Sequence, residues 1–292
     1  MQELQFIKDY RNNELLRTSF FGLAADTFGL QLERWYQEGF WGERYIPFSY
    51  AAGEQIIANV SVNLLELIID GSSKKALQLG TVMTHPDYRQ KGLSRALMNK
   101  VLEEYSGSCD FMYLFANETV LDFYPKFGFR PAQEQLFTAS YQPQSPAEQG
   151  AVRKLSVSRA EDLAFVSAFA AQRQSVSQRF GTDGVHGLLM FYCMNVFSED
   201  IYYLEDEKVI AICQQENNQL HLYDIISQEQ VDIGFVLSKL AGSSTTEIVF
   251  HFTPDYGGIE VEGVPCNSGL FVKSFSDEAF PALIKHPATS IA

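Results

Sequence analysis

The amino-acid sequence predicts an α/β (α+β) protein built from two similar halves. The first half reads as strand, helix, helix, three strands, helix, strand, helix and strand. Residues 142–150 follow as QPQSPAEQG, a polar segment with two prolines and no periodicity, which is typical of a linker. Beyond it, the same order of elements recurs in a fainter form. We therefore expect domains at residues 1–141 and 151–292, joined by a linker at 142–150.

The elements of the first half follow from local patterns. LQFIKD alternates as a strand does, RNNE opens an amphipathic helix, and LQLERWYQ predicts a second helix. Turn chemistry at AAGEQ and DGSSKK then divides a β-rich stretch into a meander of three strands. LSRALMNKVLEEY has one apolar helical face and DFMYLFA is a compact strand. NETVLDFYPKF predicts a helix capped by Asn117, and EQLFTASY predicts the last strand.

The second half repeats this order. VRKLSVS predicts a strand, and Ser158 with Glu161 predicts a capping box for the helix EDLAFVSAFAAQ. Four pairs of segments correspond in the same order: SYAAGEQIIA with YYLEDEKVIA, QLGTVMT with HLYDIIS, DFMYLFAN with EIVFHFTP, and LFTASY with LFVKSF. The basic loop in HPDYRQKGLSRAL has no counterpart in QEQVDIGFVL. A phosphate site is therefore expected in the first half only.

Composition and charge exclude several classes of function. The 292 residues are 46% hydrophobic and 20% charged, as in globular proteins. The net charge of -14 argues against a nucleic-acid partner, because binding a phosphate backbone requires clusters of cations. With no signal-like N-terminus and no apolar run near the roughly 18 residues of a membrane span, we expect a cytoplasmic protein without a membrane partner. The four cysteines lie far apart, so no metal site is expected.

The loop before the third predicted helix has the chemistry of an anion site. Arg89, Gln90, Lys91 and Gly92 stand between a strand and the helix. The free N–H groups of a first helical turn and the helix dipole both favour negative charge, and Gly92 lets the backbone approach an anion closely. The pattern is neither a Walker loop nor a dinucleotide GxGxxG.

This stretch closely resembles a family motif. VMTHPDYRQKGLSRALM resembles the pyrophosphate-binding motif of the GNAT superfamily of acetyl-CoA-dependent N-acyltransferases: Arg or Gln, two residues, Gly, one residue, then Gly or Ala. Arg89, Gly92 and Ser94 occupy these positions, with Ser as a small departure. The second family signature, an Asn opening a helix that ends in Tyr and then GF, is present as NETVLDFYPKFGF. The resemblance covers roughly residues 1–141 and implies a mixed, mostly antiparallel sheet flanked by helices, followed by a second, degenerate GNAT-like domain.

The resemblance also implies roles for individual residues. The strand before the loop would splay from its neighbour and pair with the pantetheine arm of acetyl-CoA through Val82, Met83 and Thr84. The phosphates of the cofactor would lie on the loop and first helical turn, at Arg89, Gln90, Lys91, Gly92, Leu93, Ser94 and Arg95. Asn117 would contact the cofactor, Tyr124 would protonate the departing thiolate, and the backbone N–H of Met83 would stabilise the oxyanion.

The predicted function is transfer of an acetyl group from acetyl-CoA to an amine of a small acceptor, by direct attack in a ternary complex. The acceptor is expected to be cationic, because residues 141–292 carry 9 Lys and Arg against 19 Asp and Glu. The alternative is a CoA-binding sensor or interaction protein without catalysis. The oligomeric state, a homo-oligomer included, is left open.

Two features of the site stay unassigned by the sequence. The general base is not identified: the candidates by residue type are Glu66, Asp70, Glu118 and Asp122. His85 is adjacent to the cofactor strand but is expected to face solvent, and a water relay is the alternative. The aromatic run from Phe28 to Tyr50 is expected to supply core packing and part of an acceptor pocket.

The tandem resembles the enhanced-intracellular-survival branch of the superfamily, whose members add a third domain and bring a chain terminus into the site. Neither addition is evident in this sequence.

Overall fold

The computed structural model describes residues 3–143 and 151–292. Residues 142 and 143 of the predicted linker are described, and the rest of it lies outside the described residues. Within the described ranges the chain forms two mixed β-sheets flanked by helices.

The first sheet contains the three long strands of the predicted meander. Its members are β1 (Leu4–Lys8), β2 (Tyr45–Ala52), β3 (Gln55–Ile69), β4 (Ser72–Thr84), β5 (Phe111–Phe115), β6 (Arg130–Pro131), β9 (Phe180–Asp183) and β15 (Leu270–Ser274). The second sheet consists of β7 (Glu134–Ser140), β8 (Val152–Leu155), β10 (Ile201–Leu204), β11 (Val209–Glu216), β12 (Gln219–Ile226), β13 (Glu247–Phe250) and β14 (Glu262–Cys266). The helices are α1 (Glu14–Phe28), α2 (Glu33–Gln37), α3 (Leu93–Tyr105), α4 (Ala160–Ala170), α5 (His186–Asn195) and α6 (Ile233–Leu240).

The two sheets have matching strand orders. The first runs β1-β2-β3-β4-β5-β15-β6, with β9 added to β3, and the second runs β8-β10-β11-β12-β13-β7-β14. Each contains one parallel pair, β4 with β5 and β12 with β13, and its other pairs are antiparallel. This order supports the predicted internal repeat and agrees with the expected mixed, mostly antiparallel sheet.

The last strand of each half lies in the sheet of the other half. β7 was predicted to complete the first sheet, but it pairs with β13, and β15 pairs with β5 in its place. The predicted division at residues 1–141 and 151–292 therefore does not separate the two sheets. As a statement about domains it stays a prediction, and the first domain would contribute β7 to the second sheet while the second would contribute β9 and β15 to the first.

Helices cover both faces of the first sheet. Asn13 caps α1, its Oδ1 accepting from the Leu16 N–H at 3.2 Å, and Gly29 ends the helix in the left-handed conformation. Phe20 of α1 packs in one buried cluster with Met83 of β4. Leu97 of α3 packs in another, so burial of these apolar faces fixes both helices on the sheet.

Two local predictions were wrong. NETVLDFYPKF forms two short 3-10 segments, Glu118–Val120 and Tyr124–Phe127, instead of one helix. Pro125 lacks an N–H and disfavours helical geometry in the residue before it, which interrupts a helix there. The capping box at Ser158 is also absent from the described structure, since Arg159 is the N-cap of α4 and Asp162 accepts the Ser156 N–H at 2.9 Å.

No helix in the described ranges is long and apolar enough to cross a membrane.

Candidate active site

A cleft opens where β4 and β5 separate. Their parallel pairing ends at Leu79 and Leu114, but β4 continues to Thr84. A β-bulge lies at the separation point: the β3–β4 register shifts between Asn59 and Ser61, and Thr81 has a φ of 43°. The backbone beyond Leu79 is therefore left without a strand partner on the β5 side.

Buried polar side chains hold this bulge. Asn59 Nδ2 donates to the Thr81 carbonyl and to Ser61 Oγ, each at 2.9 Å, and its Oδ1 accepts from Ser49 Oγ at 2.8 Å. The Tyr45 hydroxyl lies 2.9 Å from Ser61 Oγ and 3.0 Å from Thr81 Oγ1. Asn59, Ser61 and Ser49 are fully buried, so their hydrogen bonds must be made within the protein. The sequence analysis missed this network, although polar residues at alternate positions of an apolar strand, ANVSVN, are a usable signal.

The hydrogen-bond register corrects the predicted oxyanion donor. The His85 N–H donates to the Ile57 carbonyl of β3 at 2.8 Å. Antiparallel pairs alternate between bonded and non-bonded positions, so Met83, opposite Asn59, also directs its N–H toward β3. Val82 and Thr84 direct theirs away from β3, toward the cleft. The prediction that Met83 supplies the oxyanion donor is therefore wrong, and Val82 has the suitable N–H.

The predicted anion loop lies at the mouth of the cleft. Gly92 is the N-cap of α3 with a φ of 78°, and no atom lies within 4 Å of the position a Cβ would occupy. Arg89 and Arg95 both line the cleft, which joins two positive charges to the first turn of α3. Thr84 and Ser94 are linked by their hydroxyl oxygens at 2.7 Å, which ties β4 to that turn.

Eleven of the twelve predicted site residues line this one cleft, whose volume is about 760 Å³. They are Val82, Met83, Thr84, Arg89, Gln90, Gly92, Leu93, Ser94, Arg95, Asn117 and Tyr124. Lys91 is the exception: its ammonium contacts the Asp87 carbonyl at 3.0 Å and lies 4.4 Å from the Tyr88 ring centre. The structure does not bring Lys91 into the cleft lining.

Asn117 is the N-cap of the first 3-10 segment, and Tyr124 is the first residue of the second. Asn117 Oδ1 accepts the Thr119 N–H at 3.0 Å and so fixes the first segment. Tyr124 is 5% exposed, and burial raises its pKa to about 12. Its ring packs against Phe271 of β15, with ring centres 6.0 Å apart.

A second cavity of about 330 Å³ adjoins the first. Val82, Asn117 and Tyr124 line both, so the two meet at the predicted reaction centre. Most other lining side chains are apolar or aromatic, and three come from α5 of the second half: Leu188, Phe191 and Tyr192. The second half therefore supplies one wall of the site.

None of the acids considered as a general base lines either cavity, and neither does His85. Glu66, for example, is paired with Arg44 at 2.9 Å. A different segment does enter the site: Ile291 and Ala292 line the second cavity, and Ala292 lies so close to β4 that a Cβ on Gly80 would be 2.9 Å from it. The sequence-based expectation that no such segment reaches the site is thus corrected. Gln78 Nε2 donates to the Ser290 carbonyl at 3.0 Å and anchors this segment.

Among the residues that the structure describes, no group of three or more His, Cys, Asp or Glu side chains is arranged to hold a metal ion.

The splayed strands, the helix N-terminus with its basic loop, and the buried tyrosine are the features that the sequence resemblance implies for an acetyl-CoA cleft. Residues 13–132 match the family model for the acetyltransferase (GNAT) domain. The match identifies residues 13–132 as a region similar to the GNAT acetyltransferase domain.

Solved structures share the fold across both halves. A GCN5-related N-acetyltransferase from Kribbella flavida is 16% identical with a TM-score of 0.59, the alignment covering 93% of this chain and 71% of that one. Eis1 from Mycobacterium abscessus is 14% identical with a TM-score of 0.56, covering 94% and 73%. A GCN5-related N-acetyltransferase from Anabaena variabilis is 11% identical with a TM-score of 0.57, covering 94% and 73%. At sequence identities this low, the similarity shows a shared fold and nothing more. No curated protein matches the sequence.

Proposed function

We propose that the protein transfers an acetyl group from acetyl-CoA to the amine of a small acceptor. The observation that carries this proposal is the meeting of two cavities at Tyr124 and Val82. One cavity ends at the basic loop and α3, where a pyrophosphate would be held by charge-assisted hydrogen bonds. The other ends among apolar side chains and would hold the acceptor.

The chemistry follows from this placement. The acceptor nitrogen attacks the thioester carbonyl carbon, and the electron pair of the C=O bond moves to an oxygen that the Val82 N–H stabilises. The C–S bond then breaks, the hydroxyl of Tyr124 gives its proton to the sulfur, and the amine nitrogen releases its own proton to water. Holding the two reactants in adjoining cavities would supply much of the acceleration.

Tyr124→Phe tests this mechanism. We expect kcat for acetyl transfer to fall roughly a hundredfold or more, the usual scale for a lost general acid, while acetyl-CoA binds as before. CoA release measured with a thiol reagent gives kcat, and calorimetry gives the affinity for acetyl-CoA.

Tyr105→Phe is a matched control, since Tyr105 is the last residue of α3 and packs against Phe48 away from the cleft. Unchanged kcat in Tyr124→Phe would remove this tyrosine from the mechanism. Binding of acetyl-CoA without transfer to any amine would instead favour the sensor function.

A further inference from the structure

Resting on the proposed acetyl transfer, we propose that the acceptor is a primary amine on an uncharged, apolar body, of the arylalkylamine kind, and not a polycation. The proposal comes from the walls of the second cavity, where the acceptor would lie. It narrows the sequence-based expectation of a cationic acceptor, which depended only on the overall acidity of the second half, to an acceptor with a single ionisable amine.

The cavity offers apolar faces from both halves of the chain. Trp35 and Tyr45 come from the first half, and Leu188, Phe191 and Tyr192 come from α5. The indole N–H of Trp35 and the hydroxyl of Tyr45 already make hydrogen bonds to other groups of the protein. Trp35 Nε1 donates to the Gly187 carbonyl at 2.7 Å, and the Tyr45 hydroxyl belongs to the bulge network. These two rings therefore present mainly their apolar surfaces to a ligand.

Among the residues that the structure describes, no Asp or Glu side chain lines this cavity or the adjoining one. Two acids of the second half are paired elsewhere: Asp224 with Arg173 at 2.6 Å, and Glu207 with Lys239 at 2.7 Å. A second or third ammonium group of a polyamine would thus lose its hydration without gaining a side-chain carboxylate. Such a transfer is costly.

The same walls favour the reactive form of a single amine. Desolvation disfavours the charged ammonium and lowers its pKa, so an amine entering the cavity is more readily bound as the neutral nucleophile. An apolar cavity of about 150 Å³ holds benzene in another protein. A cavity of about 330 Å³ therefore has room for an aromatic ring and a short alkyl linker.

The first measurement compares two acceptors on the intact protein. We expect kcat/KM for 2-phenylethylamine to exceed that for spermidine roughly tenfold or more, because only spermidine must bury additional charge. Equal values, or a preference for spermidine, would overturn the inference and leave acetyl transfer itself standing.

A carboxylate placed in the wall tests the cause of the preference. In Leu188→Glu the preference for 2-phenylethylamine over spermidine should fall roughly tenfold or more, because the new carboxylate would pair with an additional ammonium group of spermidine. Leu188→Gln, of similar size and uncharged, should change it much less, and Val196→Glu, at an exposed position after α5, should not change it. A preference that is the same in Leu188→Glu and Leu188→Gln would contradict the proposal.

A binding readout separates this inference from the proposed function. The chain has two tryptophans, and Trp35 lines the cavity, so its fluorescence should change on addition of 2-phenylethylamine and not of spermidine. A fluorescence change with 2-phenylethylamine alone, without any acetyl transfer, would support the second cavity as an arylalkylamine site and refute the proposed acetyl transfer. No change with 2-phenylethylamine would overturn the inference.

Discussion

Tyr124 is the residue whose environment most directly constrains the chemistry. Burial favours its neutral form and raises its pKa to about 12. A group with a raised pKa keeps its proton at every pH below that value, so donation from Tyr124 is available throughout the ordinary working range. Within residues 3–143 and 151–292, no His, Asp or Glu side chain lines the proposed acceptor cavity to act as a base. The titrating group in that range should therefore be the acceptor amine.

The pH dependence of transfer follows from this arrangement. For an arylalkylamine, kcat/KM should rise roughly tenfold per unit between about pH 6 and 9, because the neutral fraction of an amine with a pKa near 10 rises by that factor. It should show no descending limb below about pH 10, since Tyr124 stays protonated. Initial rates of CoA release over this range test both statements.

A falling limb between about pH 7 and 9 would contradict Tyr124 as the acid. A plateau beginning near pH 7 would instead indicate a protein base that the cavity lining does not include. The same profile measured on Tyr105→Phe controls for general effects of losing a tyrosine hydroxyl.

The motif predicted which residues gather at the site, but it did not predict which groups of those residues face the ligand. The direction of the Met83 and Val82 N–H groups depends on the bulge at Thr81. That bulge is held by Asn59, which is distant in sequence from the motif. Lys91 resembles Arg89 in the sequence, yet it folds back onto the Asp87 carbonyl and the Tyr88 ring. Such choices are made by local backbone geometry, which a spacing pattern does not encode.

At the scale of elements, β15 supports the segment that carries Tyr124. Lys273 Nζ donates to the Phe127 carbonyl at 2.7 Å, at the end of the 3-10 segment. Gly128 follows with a φ of 83°, and a Cβ there would lie 2.9 Å from the same ammonium. Phe271 packs on the Tyr124 ring from the same strand. A strand from the second half thus holds the proposed acid of the first.

Removing this support should weaken catalysis more than cofactor binding. In Lys273→Met we expect kcat to fall roughly tenfold, because a small misplacement of a catalytic group is costly. The lost hydrogen bond should also lower the free energy of unfolding by about 1 kcal/mol. Steady-state rates, calorimetry with acetyl-CoA and urea unfolding measure the three quantities.

Lys154→Met is the control, since Lys154 lies on β8 and is paired with the exposed Glu199 at 3.4 Å. Weaker acetyl-CoA binding with unchanged kcat in Lys273→Met would show that β15 supports the cofactor cleft and not Tyr124.

At the scale of the whole molecule, the exchange of β7 and β15 makes each sheet depend on both halves. Without β15, one edge of β5 would expose unpaired backbone groups and β6 would lose its partner. We therefore expect a fragment of residues 1–143 to aggregate or stay unfolded when produced alone. Circular dichroism and size-exclusion chromatography of that fragment test this expectation.

Co-production of residues 1–143 with 144–292 should restore a soluble complex that binds acetyl-CoA, since each sheet then has the strands it takes from the other half. The intact protein should unfold in one calorimetric transition, because neither sheet is complete without the other. A soluble, folded fragment of residues 1–143, or two separate transitions, would contradict this dependence.

The sequence predicted the order and type of most elements, because helix and strand periodicities are local. It did not predict the exchange, since LFTASY and LFVKSF are nearly equivalent as strands. Either has the composition to pair beside β5 or β13, and the choice depends on contacts far along the chain. The similarity that indicated the repeat is the same property that concealed which strand joins which sheet.

The position of β15 also has a consequence for synthesis on the ribosome. The edge of β5 is complete at Phe115, but its partner begins at Leu270, 155 residues later. At a synthesis rate of about 5 to 20 residues per second, this edge of β5 stays unpaired for roughly 8 to 30 seconds before β15 is made. During that interval β7, which emerges first, is the competing strand. Chaperone dependence of the nascent chain should therefore be greatest between these two points.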